Sequence, residues 1–96
     1  MGNGPGRISL LNSRLPPGFR RRVLDLEPGD ERPYEEAEWR DALVVVERGA
    51  IEVVSVDGTR LSFKRGNVLF LSRLPLRCLR HCGQEPALLA IVSRSG

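Results

Sequence analysis

From Arg21 onward, apolar and polar residues follow one another with the period of two that belongs to half-buried strands, in runs too short for helices. The first run, residues 21–26, puts Val23 and Asp25 on one face and Leu24 and Leu26 on the other, and Pro28-Gly29 stops it. Residues 41–47 are rich in β-branched valine and end at Arg48-Gly49. A further strand is expected over 51–56, closed by Asp57-Gly58, the strongest short hairpin signal in the chain. Residues 60–63, with Leu61 and Phe63 on one face, lead into a turn around Gly66 and then to 68–71. Residues 76–80 follow a proline, Gln84-Glu85-Pro86 punctuates, and 87–92 closes the series. The run 8–11 reads as an edge strand or an arm, and Leu15-Pro-Pro-Gly18 as a connector that proline keeps out of a central ladder. One short helix is compatible with residues 34–40, where Glu35, Glu36, Ala37 and Glu38 favour it. Seven or eight short strands separated by glycine and proline turns predict an all-β fold, an antiparallel sandwich or barrel.

Length confines this pattern to one hydrophobic core: 96 residues make a single domain. Residues 1–6 hold three glycines and a proline with nothing to bury, so a flexible tail is expected there, followed by one domain over 7–96. With 41% hydrophobic and 28% charged residues the composition is that of a globular chain. The longest clean apolar stretches, such as 42–46, are strand-sized, which argues against a membrane helix. The start of the chain has neither a secretory pattern nor, with Gly6, a myristoylation signal. Cys78 and Cys82 stand four apart on a strand-like segment, a poor geometry for a disulfide. Reduced thiols in a cytoplasmic protein are the expectation.

Charge is polarised. The formal excess of +3 comes mainly from arginine, with Arg20, Arg21 and Arg22 consecutive and Arg73, Arg77 and Arg80 close together, while acidic residues gather between Glu27 and Asp41. Three consecutive guanidiniums can contact phosphates, but along a strand they alternate in direction, and no aromatic platform or recognition helix accompanies them. A solvated edge that resists aggregation is the expected meaning, with no specific nucleic-acid binding.

The order and spacing of the turns over residues 23–92 resemble the cupin superfamily of small jelly rolls. The first family motif is a glycine, five residues, HXH, three or four residues, a glutamate, six residues and a glycine. Set on Gly29 and Gly49, it places its ligand positions on Glu35, Ala37 and Ala42, none of which is the family residue. The second motif begins at Gly66 and lands on Ser72, Leu74, Arg77 and His81, so that Arg77 stands for the metal-binding histidine. The hairpin at Asp57-Gly58 and the run Gly83, Gln84, Glu85, Pro86, Ala87 before the last strand are also similar to the superfamily pattern. The resemblance implies a jelly-roll barrel or sandwich in which the family's metal site has lost its ligands.

The chemistry expected at that site follows from the substitutions. A guanidinium neither coordinates a metal nor loses its proton, and Glu35 cannot hold an ion by itself. Metal-dependent catalysis is therefore not expected, and no cofactor is implied. An inward-pointing Arg77 needs a partner, because an unpaired buried charge costs several kcal/mol. Two accounts are open: an internal pair with Glu35 or Glu36, or a pocket in which Arg77 takes the carboxylate or phosphate of a small anionic ligand. Tyr34 and Trp39 flank this loop and either line the mouth of such a pocket or cap the core. His81 is expected in a capping or turn role, and a zinc site with Cys78 and Cys82 lacks a fourth ligand and a common face. No nucleophile stands beside a base, which makes an enzyme the weaker reading; a metal-independent enzyme using Arg77 and a glutamate is the form it would take. The alternatives are a small-molecule sensor or carrier, and an interaction module whose barrel is filled by Leu43 or Val44, Val46, Leu61, Phe63, Leu79 and Leu89. A homodimer, joined through sheet edges or the arm at 8–11, is expected in either case.

Overall fold

The structure, a computed structural model, describes residues 10–11, 14–81 and 83–94. The expected tail at 1–6, the start of the arm at 8–11 and Cys82 lie outside the described residues. Among the described residues eight strands form two four-stranded antiparallel sheets packed face to face. They are β1 (Phe19–Leu26), β2 (Glu31–Pro33), β3 (Leu43–Arg48), β4 (Ala50–Ser55), β5 (Arg60–Lys64), β6 (Val68–Phe70), β7 (Leu76–Arg80) and β8 (Ala87–Arg94). One helical turn, α1 (Glu36–Trp39), lies between β2 and β3. The first sheet runs β1-β8-β3-β6 and the second β2-β7-β4-β5, so neighbours in sequence repeatedly exchange sheets, as in a jelly roll. Among the described residues no helix is long and apolar enough to cross a membrane.

Alternation decides what each sheet turns inward. In β1 Leu24 and Leu26 face the core and Val23 and Asp25 face out, as the sequence pattern predicts. Opposite them Val44 and Val46 of β3, Leu89 and Ile91 of β8 and Leu69 after the Gly66 turn close the first inner face. Ile51, Val53 and Leu79 supply the second. Complete burial of such side chains contributes about 1.5–3 kcal/mol each, so this double layer dominates the stability of the fold. Of the alternatives Leu43 and Val44 it is Val44 that faces inward, and one expected core residue is placed differently: Leu61, on the edge strand β5, stays 55% exposed because no further strand among the described residues covers that side.

Gly49 makes the β3–β4 corner. Its φ of +75° suits a residue without Cβ, and an added Cβ would stand 2.9 Å from the Pro86 carbonyl oxygen. The corner therefore packs directly on the backbone entering β8. β2 is the strand that the alternation does not announce: it is three residues long, contains Pro33 and lies at a sheet edge, where the missing N–H is tolerated.

Candidate functional site

The loop from Tyr34 to Ala42 occupies the mouth between the two sheets, where the first motif places its ligand positions. Glu36, Ala37 and Glu38 form a single helical turn, which ends at Arg40 and at Asp41 with a φ of +54°, a conformation that aspartate tolerates better than most residues. This loop is tied to the one after β6 at three points. The Tyr34 hydroxyl donates to the Leu71 carbonyl at 2.6 Å, the Arg73 N–H donates to Glu36 Oε2 at 3.1 Å, and the Asp41 N–H donates to Ser72 Oγ at 3.4 Å. Held in this way, Trp39 turns inward and is completely buried against the core, with Ala42 beside it in the same cluster. Of the two accounts of the loop aromatics, capping the core describes both: Trp39 fills the mouth and Tyr34 packs half-buried over it.

Arg77 does not point into the barrel. Val54 pairs with Cys78 and Ser55 with Leu76, which leaves Arg77 as the extra residue of a β-bulge. Leu76 and Leu79, three positions apart, both pack toward the core, and the bulged residue between them is turned to solvent. Glu35 is exposed as well, and Glu36 is committed to Arg40, with Arg40 Nη2 3.1 Å from Glu36 Oε1. The expected pair between Arg77 and Glu35 or Glu36 is therefore replaced by a local i,i+4 pair on α1. That pairing, together with the Arg73 N–H, holds the Glu36 carboxyl below its ordinary value.

The charged network that does enter the mouth centres on Glu38. Its Oε2 accepts from Arg22 Nη1 at 3.2 Å and from Arg32 Nη2 in a close ion pair. Arg22 also lies over the Trp39 ring, 5.5 Å from its centroid. Two donors in this network, Trp39 Nε1 and Arg32 Nε, are buried without a partner. The three consecutive arginines are separated by the strand: Arg20 and Arg22 face the mouth, whereas Arg21 lies on the outer face and donates to the Leu10 carbonyl at 3.0 Å. They form no continuous phosphate-binding strip. The sequence pattern missed Arg22, Arg32 and Glu38; the signal available was parity, since Arg22 shares the face of Leu24 and Leu26.

Of the four ligand positions, Glu35, Ala37 and Arg77 are exposed and Ala42 presents a buried methyl group. Among the described residues no three His, Cys, Asp or Glu side chains converge as a metal site would require. His81 is engaged elsewhere. It is buried, accepts the Gly83 N–H at Nδ1 at 2.9 Å and makes a close Nε2 contact with the Glu85 carbonyl, pinning the β7–β8 loop. This is the turn role its position suggested. Cys78 is a buried free thiol.

No family model matches the sequence, and neither does any curated protein. Solved structures do match. The Cnp3 cupin domain of Schizosaccharomyces pombe superposes with a TM-score of 0.67 at 20% identity over 88% of this chain. The chain has the cupin fold. A cupin 2 conserved barrel domain protein from Salinispora arenicola gives a TM-score of 0.60 at 20% identity, covering 92% of this chain and 71% of its own. An RmlC-like cupin from Desulfovibrio desulfuricans gives 0.58 at 21% identity, with coverage of 82% and 76%. The chain spans 57% of the Cnp3 structure.

Proposed function

We propose that this chain is a cupin-fold interaction module with a side-chain-filled barrel, which pairs with a second copy of itself through the outer face of the β1-β8-β3-β6 sheet. The observation that carries the reading is the distribution of exposed apolar side chains. Of the eight large hydrophobics left exposed among the described residues, five, Phe19, Val23, Leu43, Val68 and Phe70, lie on that one face. The register sets Val92, Leu43 and Phe70 in one row and Ala90, Val45 and Val68 in the next, with Val45 and Ala90 at the centre already covered and Leu43, Val68 and Phe70 exposed around them. A contiguous apolar face of this kind marks an interaction surface rather than ordinary exposure.

A second copy suits it in size and charge. Four strands at their usual spacing and eight residues of length give a face of about 19 by 27 Å, which with side-chain relief approaches the roughly 800 Å² that one partner gives to a standard interface. Arg21 and Asp25 bracket the apolar centre along β1, and a two-fold axis through that centre brings each toward the opposite charge on the other copy. The competing occupant is the chain's own beginning, since Leu10 is already held on this face, its N–H 2.6 Å from Glu47 Oε2.

Light scattering at micromolar concentration on the full chain and on Leu43→Glu and Phe70→Glu decides between them. A dimer that the two substitutions dissociate, with melting temperature unchanged, supports the proposal. A monomeric full chain that dimerises only when residues 1–9 are removed assigns the face to the arm and overturns it.

A further inference from the structure

We infer that the cleft between the start of β1, the end of β8 and the α1 turn binds a small multivalent oxyanion of the phosphate class. The cleft has a volume of about 260 Å³ and is lined by Arg20, Ala37, Glu38, Arg40, Asp41, Ser93 and Arg94. Its place in the fold follows from the strand register: Arg20 pairs with Ser93 and Phe19 with Arg94, so two arginines and a hydroxyl stand on adjacent strands at one end of the first sheet. A volume just below the range of drug-sized sites suits a compact group rather than an extended ligand.

Charge points to an anion. Glu38, the more buried carboxylate of the cleft, is saturated by Arg22 and Arg32 behind it and cannot also neutralise Arg20. Arg40 is paired with Glu36, on the far side of the helical turn. Arg20 and Arg94 have no side-chain partner among the described residues. The lining itself sets three guanidiniums (Arg20, Arg40 and Arg94) against two carboxylates (Glu38 and Asp41), a formal surplus of one positive charge, and with Glu38 taken by Arg22 and Arg32 from behind, Arg20 and Arg94 carry the charge that faces the cleft. Ser93 adds a hydroxyl to the three guanidiniums of the lining, which is therefore rich in donors. Guanidinium forks supply the paired N–H groups that a tetrahedral oxyanion accepts, and charge-assisted bonds of this kind are the strong ones. Of the four positions that the motifs assign to metal ligands only Ala37 borders this cleft, and its methyl group brings no charge or hydrogen-bonding group to it.

The test is titration with inorganic phosphate and pyrophosphate at constant ionic strength, followed by calorimetry and by the fluorescence of Trp39, the only tryptophan in the chain. The expected result is saturable binding of one anion per chain, tighter for pyrophosphate, weakened about tenfold by Arg20→Gln and again by Arg94→Gln. Arg60→Gln, on the opposite sheet, is the control for general charge loss and is expected to bind as the parent does. Arg20 and Arg94 are solvent-exposed, so the melting temperature is expected to hold, and Ser93→Ala offers a second, smaller perturbation of the same lining. Binding that fails to saturate, that chloride abolishes in proportion to ionic strength, or that falls equally in Arg60→Gln overturns the inference.

Discussion

Leu76 and Leu79 lie three residues apart on one strand and both pack toward the core, a phase change that turns the intervening Arg77 outward. In a regular strand, residues 77 and 79 would share a face, and Arg77 would enter the barrel at the family's ligand position. The bulge opposite Val54 and Ser55 inserts one residue and removes the buried charge from the fold. Arg77→Met is therefore expected to change the stability by no more than about 0.5 kcal/mol, as for other exposed positions. Urea denaturation of the variant checks this; a loss of several kcal/mol would mean that the guanidinium is paired inside.

The Gly49 corner separates steric from conformational demands. Gly49 and Gly58 both have positive φ, +75° and +91°, but only at Gly49 would a Cβ meet backbone, at the Pro86 oxygen and Ala87 Cα. Gly58→Ala is expected to cost about 1–2 kcal/mol, the left-handed penalty alone. Gly49→Ala is expected to cost more, because β8 must shift to admit the methyl group. Equal losses in denaturant melts of the two variants would show that the corner is less tightly packed than described.

The pairing of Glu36 sets a pH dependence. Hydrogen bonding to Arg40, with the Arg73 N–H, keeps the folded carboxyl below its ordinary value near 4.5. Its contribution is fully present above that value and is lost as pH falls through the lower, folded one. The melting temperature of the parent is expected to exceed that of Glu36→Gln at pH 6 and to converge on it as the pH is lowered below about 4.5. A difference that persists at low pH would contradict the ion pair.

Much of the architecture is legible in the sequence, for reasons that particular residues make plain. The valines of β3, the Asp57-Gly58 hairpin and the alternation of Val23, Leu24, Asp25 and Leu26 each carry a local signal strong enough to survive packing. Strand β7 matches its expected bounds of 76–80, and α1 falls within the expected helical window. β2 was not legible because its pairing with β7 is tertiary and its residues, Glu31, Arg32 and Pro33, have no apolar period. The site was harder. A bulge has no mark here, since no glycine accompanies it, and strand parity alone places Arg77 on the wrong face. The network of Arg22, Arg32 and Glu38 joins three separate elements, which spacing along the chain does not reveal.

The filled mouth rests on Trp39, and its fluorescence reports that state without any substitution, since the chain has no other tryptophan. Fully buried beneath Arg22 and against the apolar core, it is expected to emit at short wavelength and to resist quenching by acrylamide until the protein unfolds. Solvent-like emission that acrylamide quenches freely in the folded protein would contradict the account, because the indole would then stand clear of a barrel open to ligand.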